Sequence, residues 1–103
     1  MDTTRMRTWA EIDLTALEHN YRTLRAMLPR ECRFLGLCKA NAYGHGAAVI
    51  GHTLERLGAD MLAVACVSEA EELRQSGVKL PILCLGETPE ELIPLLLELD
   101  VTQ

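Results

Sequence analysis

A chain of 103 residues forms one domain at most, and it is short for a self-sufficient enzyme core. Its hydrophobic fraction of 49% and its charged fraction of 24% are typical of a globular protein and exclude a disordered one. The net charge of −5, with no cluster of lysines and arginines, argues against nucleic acid as a partner.

The first predicted elements are a strand and a helix. Residues 8–14 nearly alternate between apolar and polar types, which predicts a half-buried strand. Thr15 and Glu18 have the spacing of a capping box, so we expect a helix to begin there. Pro29 is expected to end this helix. Its inward face is predicted from four apolar residues at helical spacing: Leu17, Tyr21, Leu24 and Leu28.

Three short apolar runs predict strands that are covered on both faces. They are Phe34–Cys38, Met61–Ala65 and Ile82–Leu85. Because a helix is predicted after each strand, we expect an α/β fold with a parallel sheet and right-handed crossovers. Three such units cannot close a (β/α)8 barrel, which needs eight units and about 250 residues.

The helices after the first two strands have predicted ends. Residues 47–57 carry apolar residues at helical spacing, and Gly58 is expected just past the end of that helix. Ser68 and Glu71 predict a capping box for the next helix, and Gly77 is expected to end it.

The third helix is predicted to begin at Thr88 as N-cap, with Pro89 and Glu91 in its first turn. Pro94 is expected to kink it, because the proline ring meets the carbonyl four residues back. A fourth strand is predicted to open at Asp100, where the given sequence stops. We therefore expect a fragment of a longer protein.

The cysteines and the apolar runs indicate the compartment. Four cysteines lie at no metal-ligand spacing, which favours buried, reduced thiols over disulfides or a zinc site. No secretory signal follows the first residues, and no run is long enough to cross a membrane. We predict a soluble, cytoplasmic protein with no membrane partner and no metal.

Lys39 is the first residue after the apolar run that ends at Cys38. Catalytic groups of parallel α/β enzymes collect at the carboxyl ends of strands. Partial desolvation there favours a neutral amine, which can form a Schiff base with an aldehyde cofactor. Position alone favours a solvated boundary lysine, but the neighbours strengthen the cofactor hypothesis. Tyr43 carries a phenol that can donate to a phosphate, and Gly44 and Gly46 permit a tight turn.

Residues 39–46, Lys-Ala-Asn-Ala-Tyr-Gly-His-Gly, closely resemble the cofactor segment of the alanine racemase family. Residues 9–14 resemble that family's opening segment, and residues 59–65 resemble its second strand. The resemblance implies the N-terminal part of a pyridoxal 5'-phosphate (PLP) binding (β/α)8 TIM barrel, incomplete in this chain. It divides the chain into an N-terminal strand, 1–14, that packs with a separate C-terminal β domain, and a partial barrel domain, 15–103.

The resemblance also implies residue roles. Lys39 would hold PLP, be displaced by alanine, and then act as one of two acid/base groups at the α-carbon. Tyr43 would hydrogen-bond the cofactor phosphate. Asn41 and His45 match the motif, and for them orienting the loop is favoured over direct chemistry. In the family the second acid/base group is a tyrosine of the partner subunit, which lies outside residues 1–103.

The function implied by the resemblance is that of a homodimeric isomerase. It would interconvert L-alanine and D-alanine and supply D-alanine for peptidoglycan synthesis. Two alternatives stay open: a serine or broad-specificity amino-acid racemase, and a non-catalytic remnant or interaction module. Because several active-site groups lie outside residues 1–103, we expect this piece to be inactive alone.

Overall fold

The computed structural model describes residues 7–103. Its strands are β1 (Leu35–Leu37), β2 (Met61–Val64), β3 (Ile82–Cys84) and β4 (Val101–Thr102). Its helices are α1 (Leu14–Ala26), the single turn α2 (Lys39–Tyr43), α3 (Ala47–Leu57), α4 (Val67–Gln75) and α5 (Ile93–Glu98), with a 3-10 turn at Glu90–Leu92 before α5. The described part of the chain contains no helix long and apolar enough to cross a membrane.

The four strands form one parallel sheet in the order β1-β2-β3-β4. Sheet order equals chain order, so each connection joins neighbouring strands, as in the wall of a barrel. In the register, Leu62 is opposite Gly36 on one side and Ile82 on the other. The predictions of a parallel α/β sheet and of a fourth strand after Asp100 are confirmed.

The core lies where α3 and α4 pack against the sheet. Leu62, Val64, Leu73 and Ile82 have no measurable exposure there. Burial of each such side chain stabilises the fold by about 1.5–3 kcal/mol, and on α4 the buried Leu73 fixes the face that turns inward. Gly51 of α3 lies against Leu73, Leu62 and Val78, which lets the helix approach the sheet closely.

Strand β1 differs from the prediction that the strands are covered on both faces. Its burial alternates, with Gly36 buried but Leu35 41% and Leu37 36% exposed. The covered face is occupied by Leu54, whose side chain leaves no room for a Cβ at Gly36. The other face of β1 is only partly covered within residues 7–103, so the two-sided prediction is wrong for this strand.

The predicted strand at 8–14 has no pairing partner in the part of the chain that the structure describes. Residues 8–13 form no strand, because an extended segment becomes one only by pairing with a neighbouring backbone, and none lies beside it in residues 7–103. Residues 1–6 lie outside the described residues. The division into domains 1–14 and 15–103 stays a prediction.

The start of α1 is also corrected. Asp13 is the N-cap, and its Oδ1 accepts hydrogen bonds from the backbone N–H of Thr15 (2.9 Å) and Ala16 (3.2 Å). The capping box of Thr15 and Glu18 is therefore wrong, because one carboxylate already satisfies two of the free amides. Glu18 instead pairs with Arg22, 2.9 Å away.

The predicted start of the second βα helix is wrong for a similar reason. Helix α4 begins at Val67 with Cys66 as its N-cap, so Ser68 and Glu71 form no capping box. In the first turn of α4, Glu69 is the residue whose carboxylate turns back to the chain before the helix. It accepts a hydrogen bond from the backbone N–H of Ala65 at 2.7 Å. The predicted C-terminal glycines are confirmed: Gly58 and Gly77 both have φ +99°.

Two expectations for the last helix are wrong as well. Thr88 is not an N-cap, because its hydroxyl donates to Oε1 of Gln103 at 2.6 Å. Pro94 lies in the first turn of α5, where proline fits without a kink because that position needs no N–H bond. A 3-10 turn at Glu90–Leu92, with Pro89 as its N-cap, precedes this helix.

All four cysteines are free thiols in the structure, and Cys38 and Cys84 are buried. Burial raises the pKa of the Cys38 thiol to about 11, because the apolar surroundings disfavour a thiolate. This side chain therefore packs as a small apolar group at the end of β1.

Candidate active site

Lys39 lies at the carboxyl edge of the sheet, as the sequence predicts. The preceding residue, Cys38, is fully buried, and its backbone N–H donates to the carbonyl of Ala63 at 2.8 Å. The sheet pairing therefore continues up to the residue before Lys39. Lys39 itself is half-buried.

The turn α2 that follows is left-handed. Ala40, Asn41, Ala42 and Tyr43 all have φ between 51° and 56°. This conformation places Cβ close to the following carbonyl oxygen and costs roughly 1–2 kcal/mol for each residue other than glycine. Four such residues in a row persist only if contacts around the turn hold them.

Asn41 provides several of those contacts. Its carbonyl oxygen accepts from the backbone N–H of Gly44 (3.1 Å) and Gly46 (2.9 Å). Its Oδ1 accepts from the backbone N–H of Ala47 at 2.9 Å, which satisfies a free amide at the start of α3. The side chain thus ties the left-handed turn to the helix that follows it.

His45 provides a further contact inside the loop. Its Nδ1 lies 3.0 Å from the carbonyl oxygen of Ala42, and its backbone N–H donates to the same oxygen at 3.1 Å. The contacts of Asn41 and His45 are those of residues that orient a loop. Their roles in catalysis stay predictions.

Glu69 was missed by the sequence reasoning. One carboxylate oxygen accepts from the backbone N–H of Ala40 at 2.8 Å, and the other accepts from Ala65 at 2.7 Å. The side chain therefore bridges the loops that follow β1 and β2. An acidic residue three positions after Cys66 could have been found as a helix-start residue. Its bond to Ala40, twenty-nine positions away, leaves no sequence signal.

Lys39 and Tyr43 are brought together by the turn. The Lys39 Nζ lies 6.0 Å from the centre of the Tyr43 ring, and the Tyr43 side chain is 59% exposed. At Gly44 and Gly46 no atom lies within 4 Å of where a Cβ would stand, so the surface of the loop is open. An amine, a phenol and an unobstructed glycine loop suit a flat aldehyde that carries a phosphate. These residues fit PLP.

Comparison with known proteins agrees with this geometry. The family model for the alanine racemase N-terminal domain matches residues 12–103. The chain belongs to the alanine racemase family. It is 47% identical over 95 residues to an alanine racemase of Clostridium novyi, covering 92% of this chain and 24% of that protein. It is 43% identical to alanine racemase 1 of Bacillus subtilis, with the same coverage of each chain.

Solved alanine racemases have the same fold. The alanine racemase of Clostridium difficile 630 superposes with a TM-score of 0.93 at 41% identity, covering 95% of this chain and 26% of that chain. The Bacillus anthracis alanine racemase with bound L-Ala-P gives 0.88 at 37% identity, covering 91% and 24%. The alanine racemase fold is a TIM barrel, so the fold-class prediction is confirmed. This chain spans about a quarter of the length of these relatives.

Proposed function

We propose that this chain is the N-terminal part of the barrel domain of a PLP-dependent racemase that interconverts L-alanine and D-alanine. Relatives named alanine racemase, 42–47% identical over most of the chain, support the reaction. A solved relative with bound L-Ala-P supports an alanine-like substrate. The observation that carries the proposal is the left-handed turn with Lys39 and Tyr43 on it.

PLP would be held by two groups of this chain. The Lys39 amine would bind its aldehyde carbon, and the Tyr43 phenol would donate a hydrogen bond to its phosphate. When bound, PLP supplies an electron sink that stabilises a carbanion at the substrate α-carbon. The turn keeps the amine and the phenol four residues apart on one rigid segment, so both are placed by the same hydrogen bonds.

Lys39 would also move a proton. When free, its amine would take or return the proton at the substrate α-carbon on one face. Inversion needs a second group on the opposite face, because one group alone returns the proton to the face it came from. Tyr21 is buried in the core against Phe34, and Tyr43, the tyrosine beside Lys39, is assigned to the cofactor phosphate. We propose that a tyrosine of a partner subunit provides it in a homodimer.

The biological setting follows from the reaction. D-alanine produced in the cytoplasm would supply peptidoglycan synthesis. The alternatives are a serine or broad-specificity racemase and a chain that no longer catalyses. The substrate side chain would be recognised by groups beyond Lys39 and Tyr43, so the choice between alanine and serine requires measurement.

The experiment uses the protein as its own cells make it. We expect Lys39→Ala to reduce racemisation by at least about 10²–10⁴-fold, the usual contribution of an acid/base group alone. Lys79→Ala is the matched control, because Lys79 is exposed and lies in the loop before β3. Equal turnover by Lys39→Ala and Lys79→Ala would refute the proposal. Faster turnover of L-serine than of L-alanine would favour the broader racemase, and an inactive wild type without PLP would favour the remnant.

A further inference from the structure

The carboxylate of Glu69 connects two strand ends at the candidate site. It lies at the third residue of α4 and is half-buried. One oxygen accepts from Ala40 N–H, directly after Lys39, and the other accepts from Ala65 N–H, directly after β2. Bonds of this kind, from a backbone donor to a charged acceptor, are about twice as strong as neutral ones.

The bond to Ala40 acts on the backbone of Lys39. The N–H of Ala40 belongs to the peptide plane that joins Lys39 to Ala40. Turning that plane over would change ψ of Lys39 and φ of Ala40. It is also the simplest way for Ala40 to leave the left-handed region, where its φ is 51°. The strain at one such residue is similar in size to one charge-assisted hydrogen bond, so the bond to Glu69 can decide which way the plane faces.

The second oxygen fixes the carboxylate itself. Its bond to Ala65 and its place in the first turn of α4 hold Glu69 on a rigid element of the fold. The position of the Lys39–Ala40 peptide therefore depends on β2 and α4 as well as on its own loop. Asn41 holds the other end of the turn, through Ala47.

From these contacts we infer that Glu69 is a positioning residue for Lys39. It holds the Lys39–Ala40 peptide so that the Lys39 amine and the Tyr43 phenol stay together on the left-handed turn. This inference rests on the proposed function for the chemistry that the position serves. Glu69 acts through the backbone and is not a catalytic residue.

The test compares Glu69→Gln with Glu72→Gln in the whole protein. Both changes remove one negative charge from α4, and Glu72 is exposed. In Glu69→Gln the side-chain NH2 group faces one of the two backbone donors, which leaves that donor without an acceptor. We expect hydrogen exchange at Ala40 or Ala65 to become on the order of 10- to 100-fold faster than in Glu72→Gln.

A second readout reports the site itself. Each variant is mixed with PLP, and the adduct on Lys39 is fixed with borohydride at timed intervals and measured by mass. We expect the adduct to form at least about tenfold more slowly in Glu69→Gln than in Glu72→Gln, at a temperature where both variants are folded. Glu69→Asp should restore neither rate fully, because its side chain is one methylene too short to reach both amides.

The outcomes separate the two proposals. Faster exchange together with slower adduct formation supports the positioning role. Faster exchange with an unchanged adduct rate overturns it, because the bond would then only stabilise the fold. A slower adduct rate with unchanged exchange overturns it too, because the effect would not pass through the backbone. A wild type that forms no adduct contradicts the proposed function, and unchanged exchange in Glu69→Gln then also contradicts the role of Glu69.

Discussion

Glycine at position 40 should stabilise the protein, although glycine in a helix ordinarily does the opposite. Ala40 is exposed and has φ 51°. Removing its Cβ relieves roughly 1–2 kcal/mol of left-handed strain, while the greater freedom of glycine in the unfolded chain costs about 0.5–1 kcal/mol. We expect Ala40→Gly to raise the free energy of unfolding by about 0.5–1 kcal/mol. The backbone N–H that donates to Glu69 is retained.

Ala16→Gly is the matched control. Ala16 is also exposed and its backbone N–H also donates to a carboxylate, Asp13, but it lies in the right-handed helix α1. There the same change should lower the free energy of unfolding by about 0.5–1 kcal/mol. The two variants should therefore move in opposite directions, with a difference of about 1–2 kcal/mol between them.

The assay is urea unfolding of the cofactor-free whole protein. The midpoint and the slope of the unfolding transition are measured for each variant. An unchanged slope allows the midpoints to be compared as stabilities. If Ala40→Gly lowers the midpoint as much as Ala16→Gly does, the turn after Lys39 is not left-handed and the reasoning about this site is wrong.

The remaining predictions concern the cap of α3 and an acid-sensitive carboxylate. Asn41→Ala should lower the free energy of unfolding by about 1 kcal/mol in the same assay, because Ala47 N–H loses its acceptor. Asn20 is exposed, and Asn20→Ala should change the free energy of unfolding by less than about 0.5 kcal/mol. Equal effects of the two changes would contradict the capping role of Asn41. The Phe34 N–H and then the Arg25 guanidinium lower the pKa of the Asp60 carboxyl. The stability this provides is complete above the ordinary pKa of about 3.9 and is lost as pH falls below it. Melting temperature measured from pH 6 to 3 should therefore fall less steeply for Asp60→Asn than for wild type, while Asp100→Asn should follow wild type; a parallel fall for Asp60→Asn would refute this.

The sheet could be predicted from the sequence because its signals are local and repeated. The runs that became β1, β2 and β3 are continuously apolar and stand at similar spacing, which indicates parallel strands in chain order. Gly58 and Gly77 mark helix ends because both residues adopt positive φ, which glycine does without strain. The open face of β1 could not be predicted, since an apolar run does not say what covers it.

The helix starts and the left-handed turn could not be predicted well, because their hydrogen bonds depend on competition and on distant partners. The predicted capping box at Thr15 does not form, because the Asp13 carboxylate already accepts hydrogen bonds from two backbone amides. The left-handed turn opposes the preferences of its alanines and of Tyr43. It is held in part by Glu69, which is far away in the sequence. Lys39 and Tyr43 were found through the resemblance of residues 39–46, whereas the contacts of Glu69 are visible only in the structure.

If Lys39 holds PLP, reduction of the native protein should fix the cofactor on this residue. The protein is isolated from its own cells, treated with borohydride and digested, and the peptides from residues 1–103 are searched for the mass of reduced PLP. These residues contain two lysines, Lys39 and Lys79, so the second serves as an internal control. We expect the adduct on Lys39 and none on Lys79. An adduct on Lys79 alone, or a catalytically active protein with no adduct on Lys39, would contradict it.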